Sequence, residues 1–199
     1  MKIYDISQEV FNCRIYPGDP KPEKILVSSI ETGDLYNLTS FSMCAHNGTH
    51  IDAPSHFIKN GKSVDKLSLE KMIGYAMVIE HNGNVSEADA KAFIDKLKAD
   101  FDIPVTKLLI KGNATVTYEA AKVFAENKMD LIGNESQTVG PMDSPMQVHL
   151  ELLNAEVILL EGINLTNISE GMYFLNAAPL NLGDSDGAPC RAILIDFDN

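Results

Sequence analysis

The sequence predicts an α/β protein whose middle alternates strand with helix and whose two ends are β-rich. Between Tyr75 and Glu161, apolar runs of strand length alternate with segments of helical periodicity. Residues 1–45 and 171–197 read instead as short β-rich runs punctuated by turn residues. No repeat, low-complexity tract or linker interrupts the 199 residues, so a single domain over 1–199 with a mixed sheet is expected.

The elements follow in order. Lys2 to Ser7 reads as a strand, and Tyr16-Pro17-Gly18-Asp19-Pro20 as a turn. Ile25 to Glu31 and Leu35 to Ala45 have strand composition, the second running straight into a cluster of histidines. Ile58 to Lys62 is a polar loop, and a helical turn from Ser68 to Ile73 is expected to end at Gly74 as its cap. Tyr75 to Glu80 is a strand, and His81 follows in a surface loop. Ser86-Glu87-Ala88-Asp89 carries an N-terminal capping pattern, with Ala88, Phe93, Ile94 and Leu97 as the apolar stripe of its helix. Val105 to Lys111 is strand, and Thr117 caps a second helix with Ala121, Phe124 and Ala125 inward. Met129 to Gly133 is strand. Ser144-Pro145 opens a third helix, a capping residue followed by proline at the first helical position. Val157 to Glu161 is a buried strand, and this strand–helix alternation implies parallel pairing with right-handed crossovers. Gly171 to Leu180 and Arg191 to Phe197 return to β around the loop Gly183-Asp184-Ser185-Asp186-Gly187.

Composition narrows the function. Hydrophobic residues make up 45% and charged residues 22% of the chain, the balance of a soluble globular protein. No run of eighteen apolar residues occurs, so no membrane span is expected, and Met1-Lys2-Ile3-Tyr4-Asp5-Ile6 lacks the apolar core of a signal peptide. Cys13, Cys44 and Cys190 are odd in number and widely spaced, which fits reduced thiols and a cytoplasmic location. A net charge of −12 opposes phosphate backbones, so the expected partner is a small molecule and not nucleic acid.

The informative stretch is His46-Asn47-Gly48-Thr49-His50-Ile51-Asp52-Ala53-Pro54-Ser55-His56, which holds three of the five histidines and a carboxylate. Imidazole nitrogen and carboxylate oxygen are ligands that zinc or manganese accepts. In an extended strand His46 and His50 would stand about 13 Å apart, at roughly 3.3 Å per residue. A helix would align them, but Gly48 and Pro54 oppose one. A sharp bend at Gly48, where the missing Cβ permits positive φ, lets His46, His50 and Asp52 converge with His56 approaching from beyond the proline. The competing reading is a set of ordinary polar loop residues. Cys44 is either a soft ligand beside His46 or a small buried residue. Further along, Glu161 ends an apolar strand, where a carboxylate is costly to bury unless paired or bound to an ion, and His149 lies on the third helix.

The pattern His46-x-Gly48-Thr49-His50-x-Asp52-Ala53-Pro54-x-His56-Phe57 resembles the signature of the cyclase family of metal-dependent hydrolases, which includes bacterial kynurenine formamidases (arylformamidases) and isatin hydrolases. The likeness runs along nearly the whole chain. It implies the family's cyclase-like swivelling β/β/α fold. It also implies that His46, His50, Asp52, His149 and Glu161 bind two close divalent ions, two Zn2+ or alternatively Mn2+, with Asp52 and Glu161 bridging. His56 is then the general acid/base, and the reaction is hydrolysis of an amide-like bond by metal-activated water. In the formamidase form an N-formyl aryl amine gives formate and the amine; in the isatin hydrolase form the same water opens a cyclic amide. Tyr16 sits where formamidases commonly place a tryptophan over the substrate, and the alternative is a tyrosine packed over its turn. The family element Gly-Ile-Asp-x-x-Ser-Val-Asp-Pro reads here as Gly133-Asn134-Glu135-Ser136-Gln137-Thr138-Val139-Gly140-Pro141, with Glu135 and Gly140 replacing its two aspartates. Arg191, in a family Pro-x-Arg-Ala element, is expected to pair with a buried acid or to hold a substrate carboxylate. The family also implies a homodimer. A metal-stabilised binding protein without catalysis and a metal-assisted lyase or dehydratase are the alternative classes.

Overall fold

Four parallel strands at the centre of the chain carry the architecture, in a computed structural model that describes residues 1–99 and 104–197. In chain order the described strands and α-helices are β1 (Lys2–Asp5), β2 (Glu23–Ser28), β3 (Leu38–Ser42), β4 (His50–Asp52), β5 (Ile73–Glu80), β6 (Gly83–Val85), α1 (Glu87–Ala99), β7 (Lys107–Lys111), β8 (Ala114–Val116), α2 (Tyr118–Glu126), β9 (Leu131–Asn134), α3 (Met146–Asn154), β10 (Ile158–Glu161), β11 (Gly171–Asn176), β12 (Gly187–Pro189) and β13 (Ile193–Asp196). Nine of the strands form one sheet in the order β1-β13-β11-β5-β7-β9-β10-β4-β12. The pairs β5/β7, β7/β9 and β9/β10 are parallel, and the flanking pairs are antiparallel. This mixed α/β sheet with β-rich ends is the arrangement read from the sequence.

Both faces of the central strands are buried, which is why they read as continuous apolar runs. Alternation still sorts the side chains. Met77, Ile79, Leu108, Ile110, Ile132 and Leu159 pack under the three helices. Ala76, Val78, Leu109, Leu131, Ile158 and Leu160 face the other way, against Ile6, Ile51, Tyr173, Leu175 and Leu194 of the flanking segments. Two helix starts follow their sequence signals. Ser86 and Asp89 bond each other's backbone amides, at 3.2 Å and 2.9 Å, in a reciprocal capping box. Thr117 Oγ1 accepts from Ala120 N at 3.2 Å.

Several local expectations are corrected. Gly74 caps nothing: the preceding turn closes on Met72, and Gly74 sits inside β5 with φ +139°, where the Lys107 ammonium comes within 3.3 Å of the space a Cβ would take. Ala88 is exposed, and Ala90 takes its place in the stripe, because 90, 93, 94 and 97 share a face when the helix begins at Glu87. Ser144 donates to Asp143 rather than capping α3; Pro145 is the flanking residue and has no N–H to be capped. Ala125 is only half-buried, and Val123 is the buried residue beside Phe124. Leu35 to Ala45 shortens to β3, which pairs with β2 as a separate two-stranded arm. Ile25, Leu26, Val27, Leu38 and Phe41 of that arm are all exposed. No described helix is long and apolar enough to cross a membrane.

The bend at Gly48 has φ +66° and is held from several sides. Gln137 Nε2 donates to Gly48 O at 3.0 Å, Gln8 Nε2 bridges Gln137 Oε1 (2.8 Å) and Gly162 O (2.7 Å), and Thr49 Oγ1 also donates to Gly162 O at 2.7 Å. Gly162, at φ +67°, is packed so closely that a Cβ would meet Gly48 O, stand 2.5 Å from Gln137 Oε1 and 2.8 Å from Gln8 Nε2. Gly162→Ala is therefore expected to destabilise the fold by about 2 kcal/mol or more, seen as a lower urea midpoint with an unchanged m-value.

Candidate metal centre

The three residues of β4 alternate, so Ile51 enters the core while His50 and Asp52 project to one face. In the antiparallel ladder Glu161 of β10 lies opposite His50 and therefore shares that face. His149, on the second turn of α3, comes down over the same place. The bend at Gly48 folds His46 back to join them. His50 Nε2 lies 3.3 Å from Asp52 Oδ1 and 3.5 Å from Glu161 Oε2. His149 Nε2 lies 3.2 Å from Glu161 Oε1 and 3.5 Å from Asp52 Oδ2. His46 Nδ1 is 2.9 Å from Asp52 Oδ1. All five residues named as candidate ligands thus meet in one place, and four of them are buried.

The backbone fixes which ring atom each histidine presents. His50 Nδ1 donates to Gly48 O at 3.0 Å, and His149 Nδ1 donates to Pro145 O, one turn back on its helix, at 2.9 Å. Both rings therefore turn Nε2 towards the carboxylates, the arrangement in which a metal-binding imidazole is oriented by a backbone carbonyl. Glu161 Oε1 also accepts from Val139 N at 2.8 Å. Asp52 Oδ2, in contrast, is buried without a hydrogen-bond partner. An ionised oxygen without a hydrogen bond in the interior is costly unless positive charge meets it, and here the His149 imidazole stands 3.5 Å away. The donor set of three imidazoles and two carboxylates fits a divalent ion of the zinc or manganese type, in two overlapping groups, His46–His50–Asp52 and Asp52–His149–Glu161, while a third, more exposed group of possible ligands, His46–His56–Asp186, adjoins them.

Electrostatics agree with a site made for positive charge. Burial opposes protonation of His50 and His149, but the adjoining Asp52 and Glu161 carboxylates outweigh it and push both up to about 10. Burial raises Asp52, and its contacts with His149, His46 and His50 more than reverse this, holding it well below the usual carboxylate range. His56 behaves differently: burial lowers it, which leaves a neutral ring able to accept a proton near pH 7.

A cavity of about 260 Å³ opens beside the cluster, lined by His46, His50, His56, His149 and Glu161 on one side and by Tyr16, Asp19, Phe57 and Gln137 on others. Tyr16 reaches the cavity wall with its hydroxyl donating to Met142 O at 2.7 Å. His56 stacks on His46, ring centroids 4.0 Å apart. Cys44 stays outside the cluster, its thiol 3.9 Å from Asp19 Oδ2. Arg191 pairs with Asp5 at 2.6 Å, and both are exposed, so the expected buried acid is a surface one. His81 is half-buried with its ring edge-on to Phe93. Two residues went unmarked in the sequence. Asp186, from the Gly183–Gly187 loop, lies against both His46 and His56. Gln137 braces the bend. Neither has a local signature; only the glycines flanking Asp186 hint at a close approach.

The cyclase family's sequence model, described as Putative cyclase, matches residues 4–141. The chain belongs to this family. Among curated cyclase-family relatives, the kynurenine formamidase of Salinibacter ruber is 30% identical over 98% of each chain. That of Geobacillus thermodenitrificans is 36% identical over 96% of this chain and 95% of its own. A solved structure described as a potential metal-dependent hydrolase with cyclase activity superposes with a TM-score of 0.80 at 25% identity, covering 97% of this chain and 96% of that one. Isatin hydrolase A from Labrenzia aggregata has the same fold, with a TM-score of 0.79 at 20% identity over 97% and 93% of the two chains.

In the metal-free chain at pH 7, His50 and His149 carry protons that a cation must displace. Zinc uptake is therefore expected to release protons and to tighten as pH rises from 6.5 towards about 10. Calorimetric titration in two buffers of different ionisation enthalpy measures that release.

Proposed function

We propose that this chain is a metal-dependent hydrolase of an amide-like C–N bond, with an N-formyl aryl amine as substrate. The observation that carries the reading is Asp52, whose Oδ2 is buried without a hydrogen-bond partner 3.5 Å from His149 Nε2, behind the His46, His50, His149 and Glu161 side chains that line a cavity shared with the neutral His56. In this reading His46, His50 and Asp52 hold one divalent ion and Asp52, His149 and Glu161 a second, Zn2+ or Mn2+. When bound, such an ion supplies a Lewis acid that lowers the pKa of a water towards about 7 and polarises a carbonyl.

The chain's own groups do the rest. His56 has its Nδ1 committed to Asp186, which leaves Nε2 to take the proton from the attacking water and to return it to the departing nitrogen. Phe57, whose ring centroid lies 4.5 Å from that of His56 and 4.7 Å from that of His149, restricts both rings. Tyr16 and Phe57 offer aromatic faces to an aryl group. A second reading, opening of a neutral cyclic amide such as isatin, is favoured by one feature of the lining. None of the cavity's lining residues is Lys or Arg, so no guanidinium or ammonium group waits there for a substrate carboxylate.

The same reading includes a homodimer in the cytoplasm. The exposed apolar side chains of the β2–β3 arm, with Leu35 at its tip 95% exposed, are of the kind that a second copy covers. The three free cysteines fit a reducing compartment.

Removal of metal with a chelator is expected to abolish hydrolysis of N-formylkynurenine or isatin, and added zinc to restore it. His56→Ala should lower kcat about 10²- to 10⁴-fold with the metal content unchanged; an unaltered rate removes His56 from the reaction. Phe41→Asp is expected to shift the chain to monomer in light scattering after size exclusion.

A further inference from the structure

Asp186 stands outside the five candidate ligands, yet it is built into the site more firmly than a loop residue needs to be. Its Oδ2 lies 2.9 Å from His46 Nε2 and 3.2 Å from His56 Nδ1, so a single oxygen stands within hydrogen-bond reach of two stacked imidazoles. The loop that carries it is pinned to the ligand strand. Ala53 N donates to Asp186 O at 2.9 Å, Val64 N donates to Ser185 O at 2.9 Å, and Gly187 lies opposite Asp52 in the ladder. Gly187 must lack a side chain, because a Cβ there would stand 2.7 Å from His46 Cε1. The closeness of this loop to His46 is therefore set by the backbone and not by the reach of a flexible side chain.

From this geometry we infer that Asp186 is a positioning residue that couples the candidate metal ligand His46 to the candidate acid/base His56. Accepting from His46 Nε2–H fixes that ring's tautomer and leaves Nδ1, 2.9 Å from Asp52 Oδ1, as the atom that faces a cation. Accepting from His56 Nδ1–H fixes the second ring in the same way and leaves its Nε2 free for proton transfer. The carboxylate also favours the positive charge His56 acquires when it takes a proton. One oxygen thus orients both the group that holds the ion and the group that moves the proton. The stacking of the two rings keeps them from reorienting independently.

The inference rests on the proposed metal-dependent hydrolysis and is tested beside it. Asp186→Asn preserves shape but replaces an oxygen that serves two donors with an amide that serves them poorly, and Asp186→Ala removes it. Because the side chain is 49% exposed, both variants should melt within a few degrees of the parent in the metal-free form. Competition with a chromogenic chelator is expected to show zinc bound about 10- to 100-fold more weakly. At saturating zinc, kcat should fall about 10-fold or more while KM stays within about 2-fold. In a His56→Ala background, Asp186→Asn should still weaken zinc but cause no further loss of kcat. An unchanged zinc affinity, an unchanged kcat at saturating zinc, or an equal loss of kcat with and without His56 would each overturn the coupling. Failure of the parent chain to bind zinc or hydrolyse either amide would instead overturn the functional reading on which it rests.

Discussion

Two carboxylates buried side by side, Asp52 and Glu161, set the terms for much of this structure. They project from neighbouring strands, at register positions where β4 and β10 face each other. Their close partners are imidazoles and the amide of Val139, so their charge is not offset by the lysine or arginine that a structural ion pair would use. Moving one ionised carboxylate out of water costs several kcal/mol even after relaxation. A fold that tolerates two, with one oxygen of Asp52 lacking a hydrogen-bond partner, is organised to receive positive charge. The three histidines, the carbonyls that turn them and the tight backbone of the Gly48 bend all follow from that demand.

The rest of the molecule supplies rigidity in proportion. The parallel strands bury both faces, and α3 hangs His149 above the sheet at a fixed height. Gln8, Gln137 and Thr49 tie the first turn of the chain to the bend and to Gly162, spanning separations of 129 and 154 residues. A cluster of polar groups can be this dense only when each ring has one acceptable orientation, and the backbone carbonyls of Gly48 and Pro145 enforce that for His50 and His149.

Much of this was readable from residue order. The capping box at Ser86, the N-cap at Thr117 and the positive φ at Gly48 are local events, decided within four or five residues, and local chemistry foretells them. The gathering of His149 and Glu161 beside His50 depends on strand order, which the alternation of apolar runs only constrains; family resemblance supplied the remainder. What stayed hidden was non-local. Asp186 is 140 residues from His46, and nothing beside it announces an imidazole. Ser144 has the right neighbours for a cap, but its hydroxyl is taken by Asp143. Gly74 resembles a helix terminator because nothing in its surroundings reveals that Lys107 passes over it. The β2–β3 arm has the composition of a buried strand, and sequence alone does not say that the arm stands apart from the main sheet with its apolar side chains exposed.

Glu135 shows how one side chain can join turns that are far apart in the chain. It stands where the family element has aspartate, and its longer arm spreads its two oxygens between different loops. Oε2 accepts from Gly112 N at 2.7 Å and Oε1 from Leu165 N at 2.8 Å. Gly112 follows β7, Glu135 follows β9 and Leu165 follows β10, so one side chain laces together the turns beyond three adjacent strands. Those turns, including the segment bearing Gln137, are thereby tied to one another through one carboxylate. An insertion at the Gly112 turn, far from any histidine, would consequently tug on the brace beneath the bend, and such length changes are disfavoured for as long as that tether is intact.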